Sequence, residues 1–166
     1  MLKKITHYII MNLVKLIKQY DDNNVIFCEP IKNNIMNEGN FIRILYSTNI
    51  MTLNGIYLLI NLTNISCEKY YNKFKCIFNT SHHKDLIENL KLIEESILNK
   101  YKINKIQSNK IYEQMKSGYI KVFSDTGNKS NCFFILKISG IWENQNNYGL
   151  TYKFLHLYTN TNTNIK

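Results

Sequence analysis

Two short runs of this chain interleave lysine with aromatic residues at strand spacing. In KYYNKFKCIF (69–78), strict alternation puts Tyr71, Lys73 and Lys75 on one face and Tyr70, Phe74, Cys76 and Phe78 on the other. In YIKVFS (119–124) the same spacing puts Tyr119, Lys121 and Phe123 together. A lysine beside an exposed ring suits single-stranded nucleic acid, because the ammonium takes a phosphate and the ring stacks on a base. Lys137 and Lys153 alternate against Phe134 and Phe154 in two later runs and extend the cationic surface. Arg43 is the one arginine among 21 basic residues. Its planar donor group fits a phosphate contact or stacking, and equally a buried ion pair. The competing reading is a merely solvated sheet face. Lys, Asn, Ile and Tyr all have A/T-rich codons, so their abundance follows genome composition and only their positions carry weight.

Residues for covalent or metal chemistry are not spaced for it. The chain has no glycine-rich phosphate loop, no GxSxG, no HExxH and no paired-cysteine metal pattern. His82 and His83 are adjacent, and neighbouring histidines rarely reach one ion, so they read as solvent-exposed residues at a helix start. Asp85, Glu88, Glu94 and Glu95 read as the solvated face of that helix. The expectation is a protein that is not an enzyme and carries no metal and no cofactor.

The elements that would position the lysine and aromatic faces follow from periodicity. The best defined is CFFILKISGIWENQNNYGLTYKFLHLY (132–158), two alternating apolar runs about an Asn-rich turn, the pattern of a β-hairpin with one buried face. Alternation places Phe134, Leu136, Ile138, Gly140 and Trp142 on that face. Gly140 would leave room in the interior or for a ligand near the backbone. Earlier strands are expected at 25–29, 41–47, 56–61 and 69–78, and Asn54-Gly55, a strong turn dipeptide, should close a hairpin between the second and third of these. Ser81 opens a helix with Leu86, Ile87, Leu90, Ile93, Ile97 and Leu98 in one stripe; a shorter helix over 109–115 ends at Gly118, and a strand follows at 119–124.

A chain of 166 residues fits one domain, and its net charge of +9 favours an anionic partner. Residues 1–22 are expected to form an amphipathic helix packed on the domain, 23–158 the domain itself, and 159–166 (TNTNTNIK) a disordered tail. Asn12 and Lys15 interrupt the N-terminal apolar stripe and no small-residue cleavage site follows, which argues against a signal peptide, and the stretch is too short and charged to span a membrane. Cys28, Cys67, Cys76 and Cys132 lack CxxC spacing and read as reduced, pointing to a cytoplasmic protein. The fold expected is β-rich α+β, an OB-fold-like antiparallel barrel with an inserted helix and an N-terminal helix.

The stretch ILKISGIWENQNNYGLTYKF (135–154) resembles the single-stranded-DNA-binding proteins of yeast cytoplasmic linear killer plasmids and of large AT-rich DNA viruses. SGIWE at Ser139 to Glu143 and GLTYKF at Gly149 to Phe154 carry the resemblance, which covers about a third of the chain when the preceding helix and 119–124 are included. It implies an OB-type barrel, coating of exposed single strands during replication, and no catalytic activity. Many replicative single-strand binders end in an acidic tail, and TNTNTNIK departs from that pattern.

The function expected is sequence-tolerant binding of single-stranded DNA in replication of an AT-rich extrachromosomal or viral genome. Arg43, Tyr71, Lys73, Lys75, Tyr119, Lys121, Phe123, Lys137 and Lys153 are the expected nucleic-acid contacts. Partners would be single-stranded DNA, replication proteins and further copies of the chain, with no membrane. Two alternatives stand beside this: an accessory protein whose basic face meets an acidic protein partner, and an RNA-binding OB domain.

Overall fold

In the computed structural model, residues 13–33, 39–124, 126–127 and 129–157 are described. The frame is set by β10 (Lys129–Glu143), a 15-residue strand with partners on both edges. Along one edge it pairs antiparallel with β11 (Asn147–Leu157). The other edge has two partners in succession: β6 (Ile56–Tyr70) up to Ile138, then β4 (Gly39–Ser47) from Gly140. The handover coincides with a β-bulge, since Ile138 faces Tyr152 while Gly140 faces Thr151, leaving Ser139 as the extra residue.

That bulge corrects the expected face of Trp142. The extra residue inverts the alternation, so Phe134, Leu136 and Ile138 are buried before it and Ile141 after it, while Trp142 is only half-buried. Phe154 stays in the core. Gly140 does leave room, and what fills it is β4: a Cβ there would collide with the Ile42 carbonyl oxygen and the Phe41 ring.

β6 continues into a hairpin with β7 (Lys73–Ile77), and β7 pairs antiparallel with β9 (Tyr119–Val122). The order β9-β7-β6-β10-β11 is antiparallel at every step, so β9 and β11 run in the same direction. They approach each other, yet no ladder joins them among the described residues, and the sheet is not closed. Smaller strands cover the other edges. β2 (Val25–Phe27), β3 (Ile31–Asn33) and β5 (Thr52–Leu53) pair with β4; β1 (Lys15–Leu16) and β8 (Ile106–Ser108) pair in parallel with β6 and β11.

The hairpin expected at Asn54-Gly55 forms differently. β4 turns back onto β5 through Thr48 and Met51, and Gly55, at φ +106, then swings the chain away into β6 beside the Ile138 carbonyl. No ladder joins β4 to β6 among the described residues. The expected N-terminal helix falls mostly on residues 1–12, outside the described residues. Where the chain is described, Lys15–Leu16 is strand and Ile17–Gln19 a single 3-10 turn, so the helix does not run to Tyr20. The expected tail at 159–166 also lies outside them.

Between β7 and β9 the chain forms α1 (Lys84–Tyr101), then β8, then α2 (Lys110–Lys116). α1 buries Ile87, Leu90, Ile93, Ile97 and Leu98, as the stripe predicts, and with them Glu94, which is fully buried and not on a solvated face. Its two carboxylate oxygens accept from the Ile111 and Tyr112 backbone N–H groups at 3.0 and 2.8 Å, and so cap the start of α2. His83 is likewise buried, not exposed, with Nε2 accepting from the Thr63 N–H at 3.3 Å. Burial holds its imidazole below the usual value. His82 is exposed. Among the described residues, no helix is long and apolar enough to cross a membrane.

Candidate nucleic-acid interface

The segment 69–78 is not one strand. β6 ends at Tyr70, the chain turns through Tyr71 and Asn72, and β7 begins at Lys73. This changes which residues share a face. In the hairpin register Tyr70 lies opposite Lys73 and Glu68 opposite Lys75; across the next ladder Lys75 lies opposite Lys121 and Ile77 opposite Tyr119. Directly opposed residues project to one side of a sheet. Tyr70, which alternation had assigned to the core side, therefore joins Lys73, Lys75, Tyr119 and Lys121 on the outer face, where it is exposed. The signal that could have revealed this was Asn72, a turn residue inside the run.

The cations and rings of this face are interleaved. Lys73 Nζ stands 4.9 Å from the Phe123 ring centre, and Lys121 Nζ stands 4.5 Å from that of Tyr70 and 5.7 Å from that of Tyr119. Lys75 Nζ is 5.1 Å from the Tyr119 centre and pairs with Glu68 at 3.6 Å. Phe123 lies just past the end of β9 and is 59% exposed. Tyr71 is 84% exposed, with its ring edge-on to Tyr70 at 4.9 Å. Behind the face, Cys76, Ile120 and Val122 are buried and make a rigid floor.

Two features set this patch apart from an ordinary solvated surface. Lys75 and Lys121 are held directly opposite one another, an arrangement that costs free energy between like charges and that Glu68 offsets on the Lys75 side only. Tyr71 adopts φ +53, in the left-handed region that suits Gly or Asn and not a bulky aromatic. A strained, almost fully exposed ring at a hairpin tip offers the fold little beyond its edge-on contact with Tyr70, which the backbone strain offsets. Replacing Tyr71 with Asn, which tolerates that conformation, should therefore leave the melting temperature unchanged or raise it. The same change should weaken single-strand binding by about 1–3 kcal/mol with the salt slope intact. Calorimetric melting alongside oligonucleotide titration checks both, and a fall in stability would make the ring structural.

Three of the expected contacts lie elsewhere. Lys137 and Lys153 are cross-strand partners on β10 and β11, and Lys137 Nζ sits 5.1 Å from the ring centre of Tyr57 on β6. Tyr57 and Tyr70 are 13 positions apart on β6, up to ~43 Å of strand at 3.3 Å per residue. Arg43 is exposed on β4 opposite Gly140, and its Nη1 donates to the Asn54 side-chain oxygen at 3.2 Å. The far end thus repeats the motif of two opposed lysines beside a tyrosine. Among the described residues, no three or more His, Cys, Asp or Glu side chains are grouped to hold a metal ion.

No protein-family model matches the chain, and neither a curated protein nor a solved structure matches it.

Proposed function

We propose that this protein binds single-stranded nucleic acid, with single-stranded DNA as its ligand, through the outer face of β7 and β9 and the tip of the β6–β7 hairpin. The observation that carries this reading is the pair Lys75 and Lys121, held opposite each other and sharing Tyr119, with exposed Tyr70, Tyr71 and Phe123 around them. Phosphates would neutralise the opposed ammonium groups, and bases would stack on the rings in any sequence, since every base has a π-face. A net charge of +9 draws the polyanion in.

The strand order supports an OB-like reading of the fold. In an OB-fold the face of the second and third strands and the loops joining strands 1–2 and 4–5 bind oligonucleotides. Counting β6, β7, β9, β10 and β11 as the five strands, the aromatic and cationic face falls on the second and third, and Tyr71 on the first of those loops. The inserted helices lie between the second and third of these strands, one strand earlier than an OB-fold places its helix, so the support rests on the strand order and not on the helices. Together with the resemblance at SGIWE and GLTYKF, this favours coating of single strands during replication of an AT-rich extrachromosomal or viral genome, in the cytoplasm.

Polarisation titrations of labelled oligo-dT, its RNA counterpart and duplex DNA at two salt concentrations test it. Tight binding of oligo-dT, weaker binding of duplex, and a slope of about −0.7 per phosphate contact are expected. Equal affinity for duplex and single strand would remove stacking from the mechanism. A preference for the RNA strand would make the ligand RNA.

A further inference from the structure

The hairpin that carries the platform has a second side, and there two thiols face each other. Cys67 on β6 and Cys76 on β7 are direct cross-strand partners, with their Sγ atoms 3.4 Å apart. Directly opposed residues of an antiparallel pair have Cα atoms roughly 4.5–5.5 Å apart, inside the 4.4–6.8 Å that a disulfide spans. Closing from 3.4 Å to a bond of about 2.05 Å is within reach of side-chain rotation, so the ladder need not move. The two thiols also differ in access. Cys67 is half-buried and can meet an oxidant from solvent, whereas Cys76 is buried and shares a 3.4 Å contact with the Thr126 hydroxyl.

We infer that Cys67 and Cys76 are a thiol–disulfide modification site, oxidised by a small disulfide such as glutathione disulfide to a cross-strand bond that staples the platform hairpin. The Cys67 thiolate attacks one sulfur of glutathione disulfide, breaking its S–S bond. A Cys67–glutathione mixed disulfide forms and one glutathione thiolate leaves. Cys76 loses its proton and attacks the Cys67 sulfur, releasing the second glutathione. Two protein thiols become one disulfide, and one glutathione disulfide becomes two glutathiones. Burial pushes the Cys76 thiol up to about 12, but its attack is intramolecular, on a sulfur held 3.4 Å away, and its proton passes to the departing glutathione thiolate.

The ring so closed contains Tyr70, Tyr71, Lys73 and Lys75. The staple therefore acts on the strands that hold them, and its effect on affinity rests on the binding function proposed above. A hairpin that no longer frays holds its rings at fixed spacing, and preorganisation lowers the cost of binding.

The test incubates the full chain with glutathione disulfide and measures intact mass, linked peptides, melting temperature and oligo-dT affinity. Oxidation should remove two hydrogens, link the peptides containing Cys67 and Cys76, raise the melting temperature by roughly 5–10 °C, and tighten oligo-dT binding about threefold with the salt slope unchanged. Cys67→Ser should abolish all four changes while the untreated variant binds as the untreated parent does. Cys132→Ser should keep them, which matters because that thiol also acts electrostatically on Cys76. A glutathione adduct that persists on Cys67, or a bond to Cys132, overturns the assignment. A Cys67–Cys76 bond that leaves oligo-dT affinity unchanged overturns the link to the platform. Absence of oligo-dT binding in both redox forms would sink the binding reading alone, since mass and melting report the disulfide without nucleic acid.

Discussion

Changing Lys73, Lys75 and Lys121 together to Ala is expected to weaken binding of single strands several hundred-fold at low salt. Each lysine that neutralises a phosphate releases counterions worth a slope of about −0.7, so removing three should flatten log K against log salt by about 2. At ~50 mM salt that change corresponds to a loss on the order of 500-fold, shrinking as salt is raised. The fold should survive, because all three ammonium groups lie on the outer face and one like-charge opposition disappears with them. An unchanged slope would move the phosphates off this face. Lys137→Ala with Lys153→Ala is the paired measurement, and a larger loss there would transfer the site to the other end of β6.

Glu94→Ala is expected to cost about 2–5 kcal/mol of stability in chemical denaturation, because it strands two backbone N–H groups that the carboxylate now satisfies. The damage should travel. α2 is fixed at its start by Glu94 and along its length by the Tyr152 hydroxyl, whose one proton can go to the Gln114 side-chain oxygen at 2.7 Å or the Lys110 carbonyl at 3.1 Å. β9 follows α2 through Gly118, so a loosened α2 frees the strand bearing Tyr119 and Lys121. The group also leaves a signature in pH. Burial pushes the Glu94 carboxyl up to about 7, against the pull of the two N–H donors. The folded state therefore holds a proton that the unfolded chain releases near 4.5, and this group's stabilisation is present at low pH and is lost as pH rises towards 7. Glu94→Gln should erase that segment of the pH dependence. If the variant keeps it, another group is titrating.

What the sequence conceals follows from single residues that break a period. Alternation along 132–158 correctly places Phe134, Leu136, Ile138 and Phe154 in the core, and fails at Trp142 because one bulged residue, Ser139, inverts the parity beyond it. Alternation along 69–78 brings Lys73 and Lys75 together but misplaces Tyr70, because a turn at Tyr71 and Asn72 folds one apparent strand into two. Both errors come from a backbone event one or two residues long, which period-two counting cannot register. Glu94 was legible. It stands four residues after Leu90 and four before Leu98, inside the apolar stripe, and its polarity led to the opposite assignment. At Asn54-Gly55 only Gly55 takes a positive φ, and the chain bends there without closing a hairpin, since which strands pair is decided by tertiary packing and not by the dipeptide.

The approach of β9 to β11 without a ladder gives the strand ring the character of a hoop fastened by a clasp. The clasp is a side chain: Tyr152 of β11 reaches α2, and α2 leads directly into β9. A ladder fixes the sliding of one strand past its neighbour in steps of whole residues, whereas a hydroxyl held by a short helix does not. Among the described residues, that seam is the one join of the five-strand ring not made by a backbone ladder. On the proposed function, a single strand lying across β7 and β9 would meet this seam at β9, where no backbone ladder to β11 is present among the described residues.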